Sequence, residues 1–249
     1  MTRLAHIVRH PIKSIGYEEL SHASLYKGRV MDFDRHWAVA HEAAKFQGQP
    51  EGWQAKMNFL RGVAGPELMA IRAQLADDAV TLDHPRAGQI TLDLDTEVDR
   101  GRLIAWLRPL WPDNRPAPSH VVRVPGQAMT DMRQPWLSIL SLDSLRELGA
   151  QMGADLSIHR WRGNLWVEGW PTMTEMDLIG RKIRIGGALL EVHEPITRCR
   201  ATCVNPGTGV EDAETLVALE TVWGHKDFGI YAQVIEDGRI AVGDKVEVL

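Results

Sequence analysis

A chain of 249 residues is long enough for one large domain or two small ones, with a sizeable core in either case. Its residues are 44% hydrophobic and 24% charged, as in ordinary globular proteins, and its formal net charge of -5 argues against nucleic acid as the main partner. There is no apolar run of the roughly 20 residues that a membrane helix needs, and two cysteines cannot form a disulfide scaffold. We therefore expect a cytoplasmic protein without a membrane partner.

The first part of the chain predicts short strands followed by a helix. The alternating or apolar runs that predict strands are residues 4–9, 37–40, 80–82 and 90–94, the last two forming a hairpin. A helix is predicted over residues 97–107, with Thr96 as its N-cap and prolines at its end. Three prolines between residues 112 and 118 then predict a stiff connection. We place a domain boundary there, giving domains 1–115 and 116–249.

The second part predicts a similar mixture of elements. The elements are strands at 120–124, 230–235 and 245–249, a hairpin over 182–192, a helix over 142–152 capped by Ser141, and a helix over 213–223 capped by Asp212 and stopped by Gly224. Short strands with a few helices predict an α+β, mainly β class. A doubly wound sheet is disfavoured because long helices and strands do not alternate.

The segment from Thr197 to Gly209 carries the strongest chemical signal. Cys199 lies between Arg198 and Arg200, and fixed positive charge favours the thiolate, which is the form that acts as nucleophile and soft-metal ligand. Flanking prolines place it in a loop-rich context where reactive groups are common. The alternative is a buried structural thiol, since free cysteine is among the most buried residue types.

The second cysteine, Cys203, follows four residues later. On a strand it would share a face with Cys199, which leaves redox pairing or a metal site with His193 open. A zinc site is disfavoured because there is no second cysteine pair and no close histidine pair. We predict that Cys203 is a core residue.

Three short motifs contain candidate anion-binding groups. Lys13 and Ser14 follow the first strand and could bind a phosphate, whereas Arg35 could clamp an anion or pair with a nearby carboxylate. Arg162 and Asn164 are two residues apart, so on an extended segment they would point the same way and suit a polar heterocycle or an anion. The alternative for each motif is an ordinary solvated surface.

Taken in order, these motifs resemble one family: proteins that pair an N-terminal MOSC-associated β-barrel domain with a MOSC domain. This family includes the mitochondrial amidoxime-reducing components and their bacterial relatives. The specific part is Arg198-Cys199 at its spacing from Pro206 to Gly209. Supporting motifs cover nearly the whole chain, at residues 10–14, 34–37, 138–145, 162–164, 227–231 and 242–244. The resemblance implies a β-barrel-like N-terminal domain and a MOSC β-barrel with attached helices.

The resemblance also implies a cofactor. Cys199 matches the family cysteine that ligates the molybdenum of a molybdopterin cofactor. The positions that match family residues holding this cofactor or lining its site are Lys13, Ser14, Arg35, Arg162, Asn164, Thr197, Arg198 and Tyr231. The chemistry agrees, because a phosphate favours Lys, Arg and hydroxyl donors and a soft metal favours a thiolate. Since these residues come from both halves, we expect the cofactor at the domain junction.

One residue and one loop depart from the family pattern. Asn205 stands where the family often has Asp, which removes a charge from the turn after Cys199. The loop over residues 130–135 lacks the small hydroxyl residues that often follow an Asp in the family. The sequence therefore does not predict which contacts this loop makes with cofactor or substrate.

The leading function implied by the resemblance is a molybdenum oxidoreductase that reduces N-hydroxylated compounds, namely amidoximes, hydroxylamines and N-hydroxylated bases. Electrons would come from a cytochrome b5-like, ferredoxin-like or flavin reductase partner, with Arg198 and Arg200 stabilising the Cys199 thiolate. Because MOSC domains also occur in molybdenum-cofactor sulfurases, a second hypothesis is sulfur transfer through a Cys199 persulfide. A third is a non-catalytic carrier of the cofactor.

Overall fold

The computed structural model describes residues 2–249. The strands are β1 (Arg3–Arg9), β2 (Glu18–Leu20), β3 (His22–Leu25), β4 (Ala38–His41), β5 (Arg72–Ala76), β6 (Ala79–His84), β7 (Gly88–Leu92), β8 (Pro118–Val122), β9 (Leu137–Ser141), β10 (Leu165–Glu168), β11 (Lys182–Ile185), β12 (Ala188–Thr197), β13 (Asp227–Glu236), β14 (Gly238–Ala241) and β15 (Val246–Val248). The α-helices are α1 (Glu97–Leu107), α2 (Leu142–Met152) and α3 (Thr215–Trp223). Short 3-10 turns occupy Lys56–Asn58, Pro66–Ala70, Arg108–Leu110, Ile158–Trp161, Thr174–Leu178 and Arg200–Cys203.

The largest sheet has eight strands in the order β15-β11-β12-β13-β9-β10-β1-β2. Strands β9 and β10 are parallel, whereas the neighbouring pairs are antiparallel. Alternate apolar side chains, among them Ile7, Ile139 and Ile230, are fully buried in its main core. The predicted fold class, α+β and mainly β, is confirmed.

A second core lies under the smaller sheets. Strands β5, β6 and β7 form an antiparallel meander, and α1 buries Leu103 and Leu107 in this core. Strand β8 pairs with β4. The two cores are connected by the chain between Arg9 and Trp37, which follows β1 and enters the second core at Ile12.

The predicted helix boundaries are confirmed where a side chain caps the helix. Thr96 accepts a hydrogen bond from the backbone of Asp99 at the start of α1, and Ser141 accepts one from Ser144 at the start of α2. The predicted cap of the third helix is wrong. Helix α3 begins at Thr215, because the carboxylate of Asp212 is held instead by an ion pair outside the helix.

The predicted division between residues 115 and 116 stays a prediction, and the strand pairings show how the two parts of the chain are joined. Strand β1 lies between β10 and β2 inside the largest sheet, and β3 pairs with β14 near the end of the chain. Strand β8, from beyond the predicted boundary, pairs with β4. Residues from both parts therefore meet around the first turn after β1.

Within residues 2–249, no helix has both the length and the apolar character needed to cross a bilayer.

Candidate functional site

One cavity lies where the two parts of the chain meet. It is lined by all nine residues that the sequence singled out, which are Lys13, Ser14, Arg35, Arg162, Asn164, Thr197, Arg198, Cys199 and Tyr231. They come from the turn after β1, the segment before β4, the turn before β10, the end of β12 and the middle of β13. The cavity is thus a product of long-range packing between segments far apart in the chain.

Three residues of the cavity wall adopt a backbone conformation that L-residues rarely use. Ser14, Arg35 and Arg162 have positive φ angles of 61°, 50° and 48°, and together they make up half of the six non-glycine residues with positive φ. Each such residue costs about 1–3 kcal/mol, and such residues cluster at functional sites because surrounding contacts must hold them. The strain marks this wall as preorganised for a ligand.

Arg35 both lines the cavity and pairs with Asp34. Its Nη1 lies 2.6 Å from Asp34 Oδ2, and its Nη2 donates to the carbonyl of Arg162 at 2.8 Å. Burial opposes ionisation of Asp34, but Arg35 and a hydrogen bond with His10 hold the pKa of its carboxyl well below the ordinary value. The salt bridge fixes the guanidinium without removing it from the cavity.

Arg162 is held by backbone carbonyls. Its Nη1 donates to Gly16 at 3.3 Å and its Nη2 to Ile12 at 3.4 Å. Burial lowers the pKa of Arg162 to about 9, with the nearby charge of Arg35 adding to the effect, so the guanidinium is still charged at neutral pH. The segment is not extended at this residue, because Arg162 is the left-handed residue that ends a 3-10 turn, so the condition under which Arg162 and Asn164 would point the same way is not met.

Asn164 is buried and both ends of its side-chain amide make hydrogen bonds within the protein. Its Oδ1 accepts from the hydroxyl of Ser138 at 2.9 Å, and its Nδ2 donates to the carbonyl of Val8 at 3.2 Å. The side chain thereby ties β9 to β1 beside the cavity. Asn164 therefore connects two strands at the wall of the cavity.

On the other side of the cavity, the side chain of Arg198, the residue before Cys199, is held by backbone carbonyls. Its Nε donates to the carbonyl of Phe228 at 2.7 Å and its Nη1 to that of Trp161 at 2.9 Å. The guanidinium also lies 5.7 Å from the centre of the Trp161 ring. Burial lowers the pKa of Arg198 to about 10, while Tyr231 and Cys199 oppose this shift, so the group keeps its charge next to the thiol.

Cys199 is exposed at the mouth of the cavity, immediately before the 3-10 turn Arg200–Cys203. This turn overturns the expectation that the two cysteines share a strand face. Cys203 is buried, with its Sγ 3.5 Å from the hydroxyl of Thr215, so its predicted place in the core is confirmed. Arg200 is exposed and pairs with Glu211 and Glu214, so these carboxylates balance its charge, and its support of the thiolate stays a prediction.

Thr197 and Tyr231 complete the predicted set. The Thr197 hydroxyl donates to Asp227 at 2.5 Å, across the pair of strands β12 and β13. Tyr231 lines the cavity next to Trp136, with ring centres 5.9 Å apart, and burial raises the pKa of its phenol. These residues form a polar and aromatic side wall.

Several cavity residues carry no recognisable signal in the sequence. Those with charged or aromatic side chains are Lys56, Arg61, Asp131, Trp136 and Arg160. None of them lies in a helix or strand with a readable periodicity, so their only signal was charge in irregular segments. Asp131 lies in the loop that departs from the family pattern.

The charge of the cavity is opposite to that of the whole chain. Although the net charge is -5, seven Lys and Arg side chains line the cavity, and Asp131 is the single Asp or Glu among its lining residues within residues 2–249. Asp131 makes an ion pair with the amino group of Lys13, whose Nζ also donates to Met129 at 2.9 Å. Such a concentration of fixed cations favours an anionic ligand.

Asn205, which departs from the family pattern, shapes the turn after Cys199. Asn205 accepts a hydrogen bond from the backbone of Gly207 at 2.8 Å and donates to Asp212, so it shapes the turn after the cysteine outside the cavity. At Gly209, φ is +72° and an added Cβ would lie 2.8 Å from the Cα of Glu67. Glycine there lets this turn pack against the other part of the chain.

A metal at this mouth would find one protein thiol. Within residues 2–249, no three His, Cys, Asp or Glu side chains are grouped so that they could hold a metal ion. Cys199 is therefore suited to add one soft ligand to a metal whose remaining ligands come from a cofactor or solvent.

Two family models match the chain in agreement with this architecture. The MOSC N-terminal beta barrel domain matches residues 1–107, and the MOSC domain matches residues 129–247. The chain therefore belongs to the family of proteins that join these two domains.

Curated relatives match up to about half of the chain at moderate identity. The molybdenum cofactor sulfurase of Drosophila grimshawi is 28% identical over 135 residues, which cover 51% of this chain and 17% of that protein. The sulfurase of Drosophila melanogaster is 28% identical over 106 residues, covering 42% of this chain and 13% of that protein. The chain thus spans less than a fifth of the length of these relatives.

A solved structure is similar over the whole chain. The crystal structure of the YUAD protein from Bacillus subtilis covers 100% of this chain and 96% of its own, with a TM-score of 0.50 and 15% sequence identity. This similarity supports the fold.

Proposed function

We propose that this protein binds a molybdenum cofactor in the cavity and reduces N-hydroxylated compounds there. The observation that carries the proposal is an exposed thiol, Cys199, at the mouth of a cavity lined by seven cations. An anionic pterin phosphate and a thiolate-accepting metal are the two ligand features that such a cavity suits.

The depth of the side chains suggests how the cofactor would lie. The Lys13 side chain is only 4% exposed, and Arg35 and Ser14 are partly covered, whereas Cys199 and Thr197 are exposed. The phosphate would be held at the inner end by Lys13, Ser14 and Arg35. Cys199 would then ligate the metal near the mouth, where a substrate can approach.

When bound, the molybdenum centre supplies two-electron redox chemistry. Reduction of an N-hydroxyl group consumes two electrons and two protons, breaks the N–O bond and releases water. The electrons would be delivered by a separate cytochrome b5-like, ferredoxin-like or flavin reductase. The role of the protein is to hold the cofactor, to keep Arg198 charged beside the thiolate and to leave the mouth open.

The first test measures molybdenum per chain and turnover together. Protein from a host that makes the cofactor is expected to contain near-stoichiometric molybdenum and to reduce benzamidoxime when a chemically reduced viologen supplies electrons. NADH without a reductase should give no turnover. C199A should lose turnover, whereas C203A, which changes a thiol outside the cavity, should retain it if the variant is folded.

Absence of both metal and pterin, in protein from a host that loads other molybdoenzymes, would reject the proposal. Equal turnover by C199A and the wild-type chain would reject the role of the thiol.

The names of the relatives favour a second candidate function. Because they are molybdenum cofactor sulfurases, Cys199 could instead carry a sulfane sulfur as a persulfide, received from a separate persulfide donor. This candidate predicts cyanide-labile sulfur on wild-type protein and none on C199A. The reductase proposal predicts stable molybdenum and no cyanide-labile sulfur on Cys199.

A further inference from the structure

Most cations of the cavity already have a carboxylate partner. Arg35 pairs with Asp34, and Arg160 lies 2.6 Å from a carboxylate oxygen of Asp212. Lys13 and Lys56 share the carboxylate of Asp131, with Lys56 Nζ 3.6 Å from its Oδ2. These pairs leave part of the positive charge balanced before any ligand enters.

Arg61 is different. It is half-buried and lines the same cavity, yet within residues 2–249 no carboxylate oxygen lies within 4.0 Å of its guanidinium and no hydrogen bond is made by its side chain. A half-buried guanidinium has lost part of its hydration without gaining a partner. An anionic group in the cavity would supply that partner.

The position of Arg61 places it near the reactive thiol. A Cβ built on the next residue, Gly62, would lie 3.6 Å from the Cβ of Ala201 and 2.5 Å from the Sδ of Met69. The backbone at residues 61–62 therefore packs against the turn that begins directly after Cys199. The segment of Arg61 therefore lies on the side of the cavity that carries Cys199.

The cavity that Arg61 lines also has apolar side chains. Val63, Met69 and Met132 line the same cavity. A ligand that fits beside them has an apolar body, and its anionic substituent would meet the guanidinium.

We infer that Arg61 is a specificity-determining residue that binds a carboxylate on the substrate, so that the preferred substrates are N-hydroxylated compounds with an apolar body and an anionic substituent. This inference rests on the proposed function. A charge-assisted pair between a guanidinium and a carboxylate in a partly desolvated site is expected to change affinity about tenfold.

The test compares neutral benzamidoxime with its 3-carboxy and 4-carboxy derivatives, which present the charge in two positions. For the holoprotein with reduced viologen, kcat/KM should be about tenfold higher for at least one carboxylated compound. In R61Q the ratio of kcat/KM for the carboxylated compound to kcat/KM for benzamidoxime should fall to about one, and R61K should keep part of the preference. R133Q is the matched control, because Arg133 is exposed in the neighbouring loop and does not line the cavity.

A binding measurement separates failure of this inference from failure of the proposed function. Calorimetric titration of the oxidised holoprotein with the same three compounds needs no turnover. Tighter binding of a carboxylated compound that is lost in R61Q, without turnover of any compound, would support the anion site and reject the reductase activity. Turnover with equal binding and equal kcat/KM for all three compounds, unchanged in R61Q, would overturn the inference and leave the reductase activity standing.

Discussion

The inner wall and the mouth of the cavity are built in different ways. At the inner wall, Lys13, Arg35 and Arg162 are held by carbonyls or carboxylates of the protein, and two of them have a left-handed backbone. At the mouth, Cys199 is exposed, and Arg61 on the same side of the cavity has no carboxylate partner within residues 2–249. The side chains of the inner wall are held in place without a ligand, whereas the groups at the mouth gain partners only when a ligand binds.

This difference suits a site with one constant and one variable ligand. A preorganised wall binds a single rigid anion without an ordering cost, while an incomplete mouth can accept different molecules. Such an inner wall depends on buried polar contacts that are costly to leave unmade. The following variants measure how the loss of individual contacts changes stability or ligand binding.

The largest effect is expected at Arg198, whose guanidinium connects β13 to the turn before β10. R198A removes the hydrogen bonds to the carbonyls of Phe228 and Trp161, so both acceptors lose this donor. The free energy of unfolding should fall by about 4 kcal/mol. R200A is the control, since the exposed ion pairs of Arg200 are screened by solvent and should contribute little to stability. Urea unfolding of both variants measures the difference, and equal losses would contradict this account.

The second prediction contrasts two buried carboxyls. Asp34 has Arg35 as a partner, whereas Glu175 is fully buried and accepts a hydrogen bond from Ser144 Oγ at 3.0 Å, with no cation within 4.0 Å in residues 2–249. Burial raises the pKa of Glu175 to about 7, above its value of 4.5 in the unfolded chain. Its protonated form therefore stabilises the fold fully below pH 4.5, and this contribution is lost as the pH rises through 7.

Wild-type protein should thus lose roughly 3 kcal/mol between pH 5 and pH 8 relative to E175Q, whose amide does not titrate. Chemical unfolding of both proteins across this range gives the difference curve. Because Asp34 is ionised in both states over this range, it does not contribute to the difference. A flat difference curve would mean that Glu175 stays ionised in the folded protein.

The third prediction concerns two glycines with similar backbone angles. At Gly229, φ is +82° and an added Cβ would lie 2.6 Å from Leu140 Cγ and 2.9 Å from the carbonyl of Ile139, whereas at Gly224, φ is +77° and there is open space. G229A should lower stability by about 2 kcal/mol and G224A by about 1 kcal/mol, because both are strained and only the first is crowded. Thermal unfolding in parallel measures the gap. Equal effects would show that β13 can shift away from β9 at no cost.

The smallest effect is expected at Asp131, which occupies Lys13 without a ligand. D131N should bind inorganic phosphate about fivefold more tightly than wild type, since it frees the amino group, a gain of about 1 kcal/mol. Calorimetric titration at constant ionic strength measures this. D78N, at an exposed acid outside the cavity, should bind phosphate like the wild type. Weaker binding by D131N would mean that the carboxylate positions Lys13 instead of competing for it.

The features that the sequence predicted well are those with a local cause. Helices α1 and α2 begin where Thr96 and Ser141 can cap them, and both the cap and the apolar spacing lie within a few residues. The nine candidate residues were found through short motifs at particular positions, and all nine line one cavity. The start of α3 was misplaced because Asp212 is engaged by Arg160, 52 residues away in the chain.

Tertiary structure decided which charges belong to the cavity. Arg198 and Arg200 flank Cys199 equally in sequence, yet one lies buried on carbonyls of other segments and the other pairs with glutamates at the surface. Nothing local separates them, because burial and partners depend on what packs against each side chain. Arg61 lies on the side of Cys199 for the same reason, through packing of its segment on the turn after Cys199. The sequence by itself determined the helix caps and the chemical block around the cysteine, whereas long-range packing determined its electrostatic surroundings.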